Sequence, residues 1–187
     1  MKLTLDDIQG RESRHVLQTY RRQPVAFVRG SGPRLYDVDG GAVRLAGVDV
    51  RNLSFADLRA TVGLVTQDGH LFHETVRENL LLGARRGDDV EGVLAHILEV
   101  FPILGTKFNQ RSSELSGGQQ QRLTIARALS HEPEILCLDE FSIAIDPVTT
   151  MRIEDVLKEL RREITIVLVT NLTQQARRLS DRTMFLW

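Results

Sequence analysis

Lysine is scarce in this chain: of its 24 basic residues only Lys2, Lys107 and Lys158 are lysines. None follows a glycine and none precedes a serine or threonine, so no glycine-rich loop here ends in the lysine that meets the β- and γ-phosphates of a nucleotide. Cysteine is scarcer still. Cys137 stands alone, which excludes an intrachain disulfide, and its place inside the apolar run EILCLDE assigns it to core packing. No apolar run approaches the roughly 20 residues that cross a bilayer, and the opening MKLTLDDIQG is too acidic and polar for a signal peptide, so the chain reads as cytosolic. An excess of either charge is missing too. With 24 basic and 25 acidic residues the net charge is -1, which gives no electrostatic reason to expect nucleic acid as a partner. The 187 residues suffice for one main core, or for one core with a small appendage.

What is present is ordered along the chain. Residues 1–40 carry a polar, helical-looking lead, DDIQGRESRHVLQTY, and two strand-like runs, PVAFVRG and PRLYDVDG, which the turn residues GSGP join into a predicted hairpin. From residue 41 the text changes, and 41–187 reads as a second unit. AVRLAGVDV predicts another short hairpin, and LSFADLRA a short helix with Ser54 as N-cap and Asp57 as its capping partner. TVGLVTQDG predicts a strand ending at Gln67, and ETVRENLLLG a helix opened by a Thr75 and Glu78 capping box and closed by Gly83. Val90 to Val100 has helical spacing, and the remainder of that region, as far as Ser113, reads as loop.

EILCLDE and ITIVLVT predict two strands apolar on both faces. Between them PVTTMRIEDVLKELRR predicts a helix with Asp146 as N-cap and Pro147 at its first position. Its spacing predicts that Met151, Ile153, Val156, Leu157 and Leu160 are buried and its charges exposed, with Glu154 and Lys158 paired one turn apart. TQQARRLSDR predicts a last short helix. Such strands alternating with helices imply an α/β fold: a parallel sheet covered by helices on both sides, with ligands at the C-terminal ends of its strands. Gln67, Asp139, Glu140 and Asn171 all stand at or just past such ends.

Two stretches carry chemistry. In ELSGGQQQRL a serine and two glycines precede a glutamine-rich helical run; paired glycines in a first helical turn imply a close approach to the backbone, and the free amides there attract an anion such as phosphate. In ILCLDE four apolar residues force a buried strand. Asp139 then emerges where a carboxylate can hold a hard cation, and Glu140 where it can polarise a water for attack on a phosphoryl group. Two acids after a strand also begin an ordinary solvated loop, and the pair alone decides nothing.

The order LSGGQ (Leu115 to Gln119), LCLDE, then AIDP (Ala144 to Pro147) resembles the nucleotide-binding domain of ATP-binding cassette (ABC) transporters. LSGGQQQRLTIARAL is similar to the family's signature motif, ILCLDE to its Walker B strand with the catalytic glutamate, IAID to its D-loop and Gln67 in VTQDGHLF to its Q-loop glutamine. The resemblance implies a P-loop NTPase-like fold that uses ATP and Mg2+. It assigns catalysis to Glu140, Mg2+ to Asp139 and Gln67, the D-loop to Asp146, and contact in trans with a partner's ATP to Ser116, Gly117, Gly118 and Gln119. It also implies a second nucleotide-binding domain and transmembrane transporter subunits as partners, and a place at the inner face of the membrane. Residues from about 100 to 187 look most like the ATP-binding subunit of phosphate importers, and those from about 42 to 83 more like ABC exporters. Residues 12–40 resemble the N-terminal segment of acetylornithine-type aminotransferases; without a Schiff-base lysine they receive no catalytic role.

The departures matter as much. The family's Walker A loop, G-x-x-x-x-G-K-[ST], is absent, and RGSGPR in its place reads as a hairpin turn. The H-loop histidine position is Asn171, which can donate a hydrogen bond to a phosphate oxygen but cannot take up a proton. Phe141 replaces the usual proline after the glutamate, the helical subdomain is reduced, and the family continues past the point where this sequence ends. The core is therefore expected to be incomplete. Three readings follow: an ABC-type ATPase energising transport, a non-hydrolytic partner that supplies only the signature motif, and an inactive recombined fragment.

Overall fold

The computed structural model describes residues 27–31, 34–37, 44–45, 48–67, 69–84, 89–143 and 145–184. They fall into two compact units, one of residues up to Leu58 together with those from Ser180, the other Arg59–Leu179. The polar lead expected before residue 26 lies outside the described residues.

The first unit holds two antiparallel hairpins. β1 (Phe27–Ser31) pairs with β2 (Arg34–Asp37), and β3 (Arg44–Leu45) with β4 (Val48–Asp49), as the turn residues between the runs predict. α1 (Phe55–Thr61) opens on the expected reciprocal cap: the Ser54 hydroxyl accepts from Asp57 N at 3.1 Å and Ser54 N donates to the Asp57 carboxylate at 3.3 Å.

The second unit is α/β, as predicted. β5 (Val62–Val65), β6 (Ile135–Asp139) and β7 (Thr165–Val169) form a parallel sheet with β6 in the middle. Around it lie α2 (Val76–Leu81), α3 (Val90–Val100), α4 (Pro102–Gly105), α5 (Gly117–Leu129), α6 (Pro147–Leu160) and α7 (Thr173–Leu179). α4 and the 3-10 turn Ser112–Glu114 occupy a stretch that sequence spacing reads as loop; Pro102 starts a single turn too short to show a period.

Register decides which face is core. Gly63, Leu136 and Ile166 share one row, and Val65, Leu138 and Leu168 the next. Leu136 and Leu138 are buried, each contributing roughly 1.5–3 kcal/mol. Gly63 has to be small here, because a Cβ would stand 2.9 Å from the Ala128 carbonyl of α5. The opposite row, Leu64, Cys137 and Val167, is not a second core face. Leu64, Val167 and Val169 are exposed, so the expectation of a sheet covered on both sides is corrected: these apolar strands are buried on one face only.

α6 requires a second correction. Ile153, Leu157 and Leu160 are buried as predicted, but Met151 is 61% exposed. Glu154, expected on the solvent face, is 1% exposed and paired with Arg178, while Lys158 pairs with Asp155 instead. A 14-residue helix gripped by α7 as well as by the core has a wider buried stripe than its apolar residues mark out.

Candidate nucleotide-facing site

Three turns leave the sheet at one edge. Val65 pairs with Leu138 and Asp139 with Val169, so Gln67, Glu140 and Asn171 each stand just past neighbouring strand ends, with Asp139 as the last residue of β6. The parallel register thus brings to one end of the sheet three stretches of chain, Gln67, the adjacent Asp139 and Glu140, and Asn171, of which the first and last lie more than a hundred positions apart. Gln67 and Asn171 are exposed, and Asp139 and Glu140 half-buried. Glu140 has φ +46°, a left-handed backbone that costs a non-glycine residue roughly 1 kcal/mol or more. Its amide donates to Val169 O at 2.9 Å, which holds the strained turn against the end of β7.

Among the described residues no cluster of three or more His, Cys, Asp and Glu side chains forms a protein cage. The Asp139 carboxylate with Gln67 two residues past a neighbouring strand nevertheless suits Mg2+, which takes one or two protein oxygens and draws its other ligands from phosphate and water. The phosphate cradle does not fit. No loop of this chain carries the glycines and lysine that would hold a triphosphate from below.

The signature end lies at the start of α5. Ser116 is the N-cap in extended conformation (φ -65°, ψ 156°), and Ser116 N donates to the Gln119 carboxamide oxygen at 3.0 Å. The two glycines differ. A Cβ on Gly118 would stand 2.5 Å from Thr149 Cγ2 of α6, so this glycine is required by packing within the chain. A Cβ on Gly117 would meet nothing within 4 Å, and Ser116 and Gly117 are both exposed. The close approach predicted from paired glycines therefore comes from Thr149 at one of them and leaves the other open. Asp146 caps α6 by accepting from Thr149 N at 2.9 Å, a bond that holds its carboxyl below the ordinary range.

Several residues that support these ends were not singled out from sequence. Asn79 on α2 is fully buried; its carboxamide donates to the carbonyls of Phe72, Glu74 and Thr75 and accepts from Phe72 N at 3.0 Å. That ties the stretch after Gln67 to α2, whose predicted capping box of Thr75 and Glu78 is present. Ser112 Oγ donates to Phe72 O at 2.6 Å, and the Gln120 side chain donates to the carbonyls of Ser112 and Leu115, so the chain leading into the signature is pinned to the same stretch. Gly69 and Gly83 fit closely against α5, where added Cβ atoms would stand 2.8 Å from Thr124 Cγ2 and 2.4 Å from Arg127 O. Gln175, fully buried on α7, links Ser142, Thr170 and Glu154. For Asn79 and Gln175 the sequence signal is a polar residue on the apolar stripe of a helix, which composition cannot tell from a solvated one, and Gly83 is marked in the sequence as a helix end but not for its close fit to α5.

Residues 33–142 match the ABC transporter family. The phosphate import ATP-binding protein PstB 1 of Lactobacillus acidophilus is 40% identical over 155 residues, covering 78% of this chain and 58% of the relative. The protein of the same name from Lactobacillus johnsonii is 39% identical over the same length, again covering 78% and 58%. The chain thus spans well under two thirds of the curated relatives it matches. Among solved structures it is similar to cbiO1 of Clostridium perfringens, part of the transporter complex cbiONQ (TM-score 0.62, 27% identity, 70% of this chain and 55% of that one). It is also similar to a bacterial Atm1-family ABC exporter with ATP bound (TM-score 0.60, 27% identity, 76% and 25%). The motif order, the strand-end edge, the family match and these relatives agree: the chain belongs to the ABC transporter family, as an ATP-binding domain.

Proposed function

We propose that this chain works as one member of a nucleotide-binding pair in an ABC importer, closing its signature face on ATP held by a second domain. The observation that carries this reading is the open start of α5 in a chain without a phosphate loop. Ser116 presents a hydroxyl and Gly117 an unobstructed amide, with the positive end of a 13-residue helix behind them. Those groups suit a terminal phosphate whose charge is already partly met elsewhere. Alone they leave most of a triphosphate uncompensated. Inorganic phosphate is the proposed cargo, by similarity to the phosphate import relatives, and the exposed Gln67 turn is the proposed link to transmembrane subunits at the inner face of the membrane.

The test is a mixing experiment. The partner is an ABC domain with an intact phosphate loop and a signature serine changed to arginine, so that its own dimers are inactive. Neither protein alone should hydrolyse ATP, the mixture should, and Ser116→Arg in this chain should abolish the gain. A mixture as inactive as its components overturns the reading.

The adjacency of Gln67, Asp139, Glu140 and Asn171 favours a second contribution, in which Asp139 and Gln67 would hold Mg2+, whose charge would offset that of phosphate, and Glu140 would polarise water. Its test needs a partner whose signature is intact and whose own catalytic glutamate is changed to glutamine: turnover of that mixed pair should be lost in Glu140→Gln, whereas a chain that supplies only its signature gives no turnover with this partner at all. Asn171 can hold a phosphate oxygen by donation but cannot shuttle a proton, so hydrolysis at this chain's own edge is slow. Residues 12–40, despite their aminotransferase-like text, receive no role.

A further inference from the structure

We propose that Gln175 is a positioning residue that locks the turn carrying Glu140 and the turn carrying Asn171 into one block with α6. This rests on reading those strand ends as the nucleotide-facing edge, although the test below does not depend on it. Gln175 is fully buried, and both ends of its carboxamide are engaged. Its Nε2 donates to Ser142 Oγ at 3.1 Å and to Glu154 Oε1 at 3.2 Å; its Oε1 accepts from Thr170 Oγ1 at 2.8 Å. Ser142 lies two residues after Glu140, and Thr170 directly before Asn171. Thr170 Oγ1 also accepts from Leu172 N at 3.1 Å, so the joint reaches across both sides of Asn171.

The orientation of the amide is set by charge. Arg178 donates through Nε and Nη2, both at 2.7 Å, to the Glu154 carboxylate, which keeps that buried group ionised. An anion behind Gln175 demands the NH2 end on its side, which leaves the oxygen for Thr170. A flipped amide would set its oxygen against Glu154 and its NH2 against a hydroxyl already holding Leu172. The charged groups at this joint are Glu154 and Arg178, with Lys158 one turn along α6 from Glu154. The Glu140 turn, with its strained φ, is bonded at both ends of that residue, its amide donating to Val169 O at 2.9 Å and its carbonyl accepting from Ile143 N at 3.1 Å, and Ser142 within the same turn is tied to Gln175.

Site-resolved amide hydrogen exchange on the isolated chain, corrected for intrinsic rates, tests this without nucleotide or partner. A failed mixing experiment would therefore leave its outcome intact. In Gln175→Leu the amides of Glu140, Ile143 and Leu172 should exchange at least about tenfold faster than in the parent, while those of Leu136 and Leu138 keep their rates. Gln175→Glu gives a signature that general loosening cannot. Ionised, its carboxylate opposes Glu154 and the same three amides speed up at pH 8; protonated, it donates to Glu154 and accepts from Thr170, and protection returns at pH 5. Should Gln175→Leu not fold, Ser142→Ala removes one hydroxyl only and should speed Glu140 and Ile143 but not Leu172. Unchanged exchange in both turns, a uniform rise across the unit, or a Gln175→Glu chain indifferent to pH would overturn the proposal.

Discussion

At the scale of single residues, the two signature glycines make opposite demands. Gly118→Ala forces a Cβ to 2.5 Å from Thr149 Cγ2, so the start of α6 has to give way, at a cost of about 1–3 kcal/mol in a denaturant midpoint. Gly117→Ala meets no atom and replaces a poor helix former, so its stability should be unchanged or higher by up to about 1 kcal/mol. On the proposed function the same Gly117→Ala reduces ATP turnover in the mixed pair, because the methyl stands where phosphate approaches. A variant that folds better and works worse separates the two roles; Gly117→Ala with full activity would leave this position without a ligand-facing role. The motif was legible here as a string, but which glycine serves packing was not, since Thr149 lies 31 positions away in sequence.

Among elements, α6 and α7 are joined by a charge that helical periodicity places on the wrong face. Arg178 holds the Glu154 carboxyl below its ordinary 4.5, so the folded chain releases this proton more readily than the unfolded one. The stabilisation is present above about pH 4.5 and is lost as pH falls through the lowered folded value. Glu154→Ala should cost roughly 1–3 kcal/mol at pH 7, because it removes a charge-assisted pair and one acceptor of the buried Gln175 Nε2 while the half-exposed Arg178 stays solvated, and the deficit should shrink in acid. Urea unfolding at pH 7 and pH 4 checks both; a deficit that does not shrink would mean that the charge is not the stabilising feature. In α2, Asn79→Ala should cost roughly 1–2 kcal/mol by removing the acceptor of the part-buried Phe72 N and the donor to three carbonyls, and should loosen Phe72 to Thr75. The elements that the sequence predicts well are those with their own punctuation: Ser54 and Asp57, Thr75 and Glu78, Asp146 and Pro147. The pairing of Glu154 with Arg178, 24 positions apart, leaves no local trace, and the single turn of α4 is shorter than any periodicity can register.

For the whole molecule, the fold class was legible because apolar runs alternate with capped helices, and the strand-end rule then located Gln67, Asp139, Glu140 and Asn171 on one edge. The open sheet face was not legible. ITIVLVT is as apolar on the exposed side as on the buried one, and only the finished packing shows Val167 and Val169 reaching solvent. Serine at Leu64 and Val167 together should therefore cost less than about 1 kcal/mol, since each is exposed, and should lower the binding of an apolar dye; a larger loss would mean that the face is covered in solution.

The most direct measurement is sedimentation of this chain mixed with the signature-disabled partner, with and without Mg-ATP, beside thermal melts of the chain alone. Mg-ATP should drive a mixed pair that Ser116→Arg abolishes, while the melting temperature of the isolated chain should not move with Mg-ATP. A ligand bound by the folded chain at a hundredfold excess over Kd would add about 2.7 kcal/mol and shift that melt visibly. Such a shift in the isolated chain, or a mixture that ignores Mg-ATP, would contradict the account.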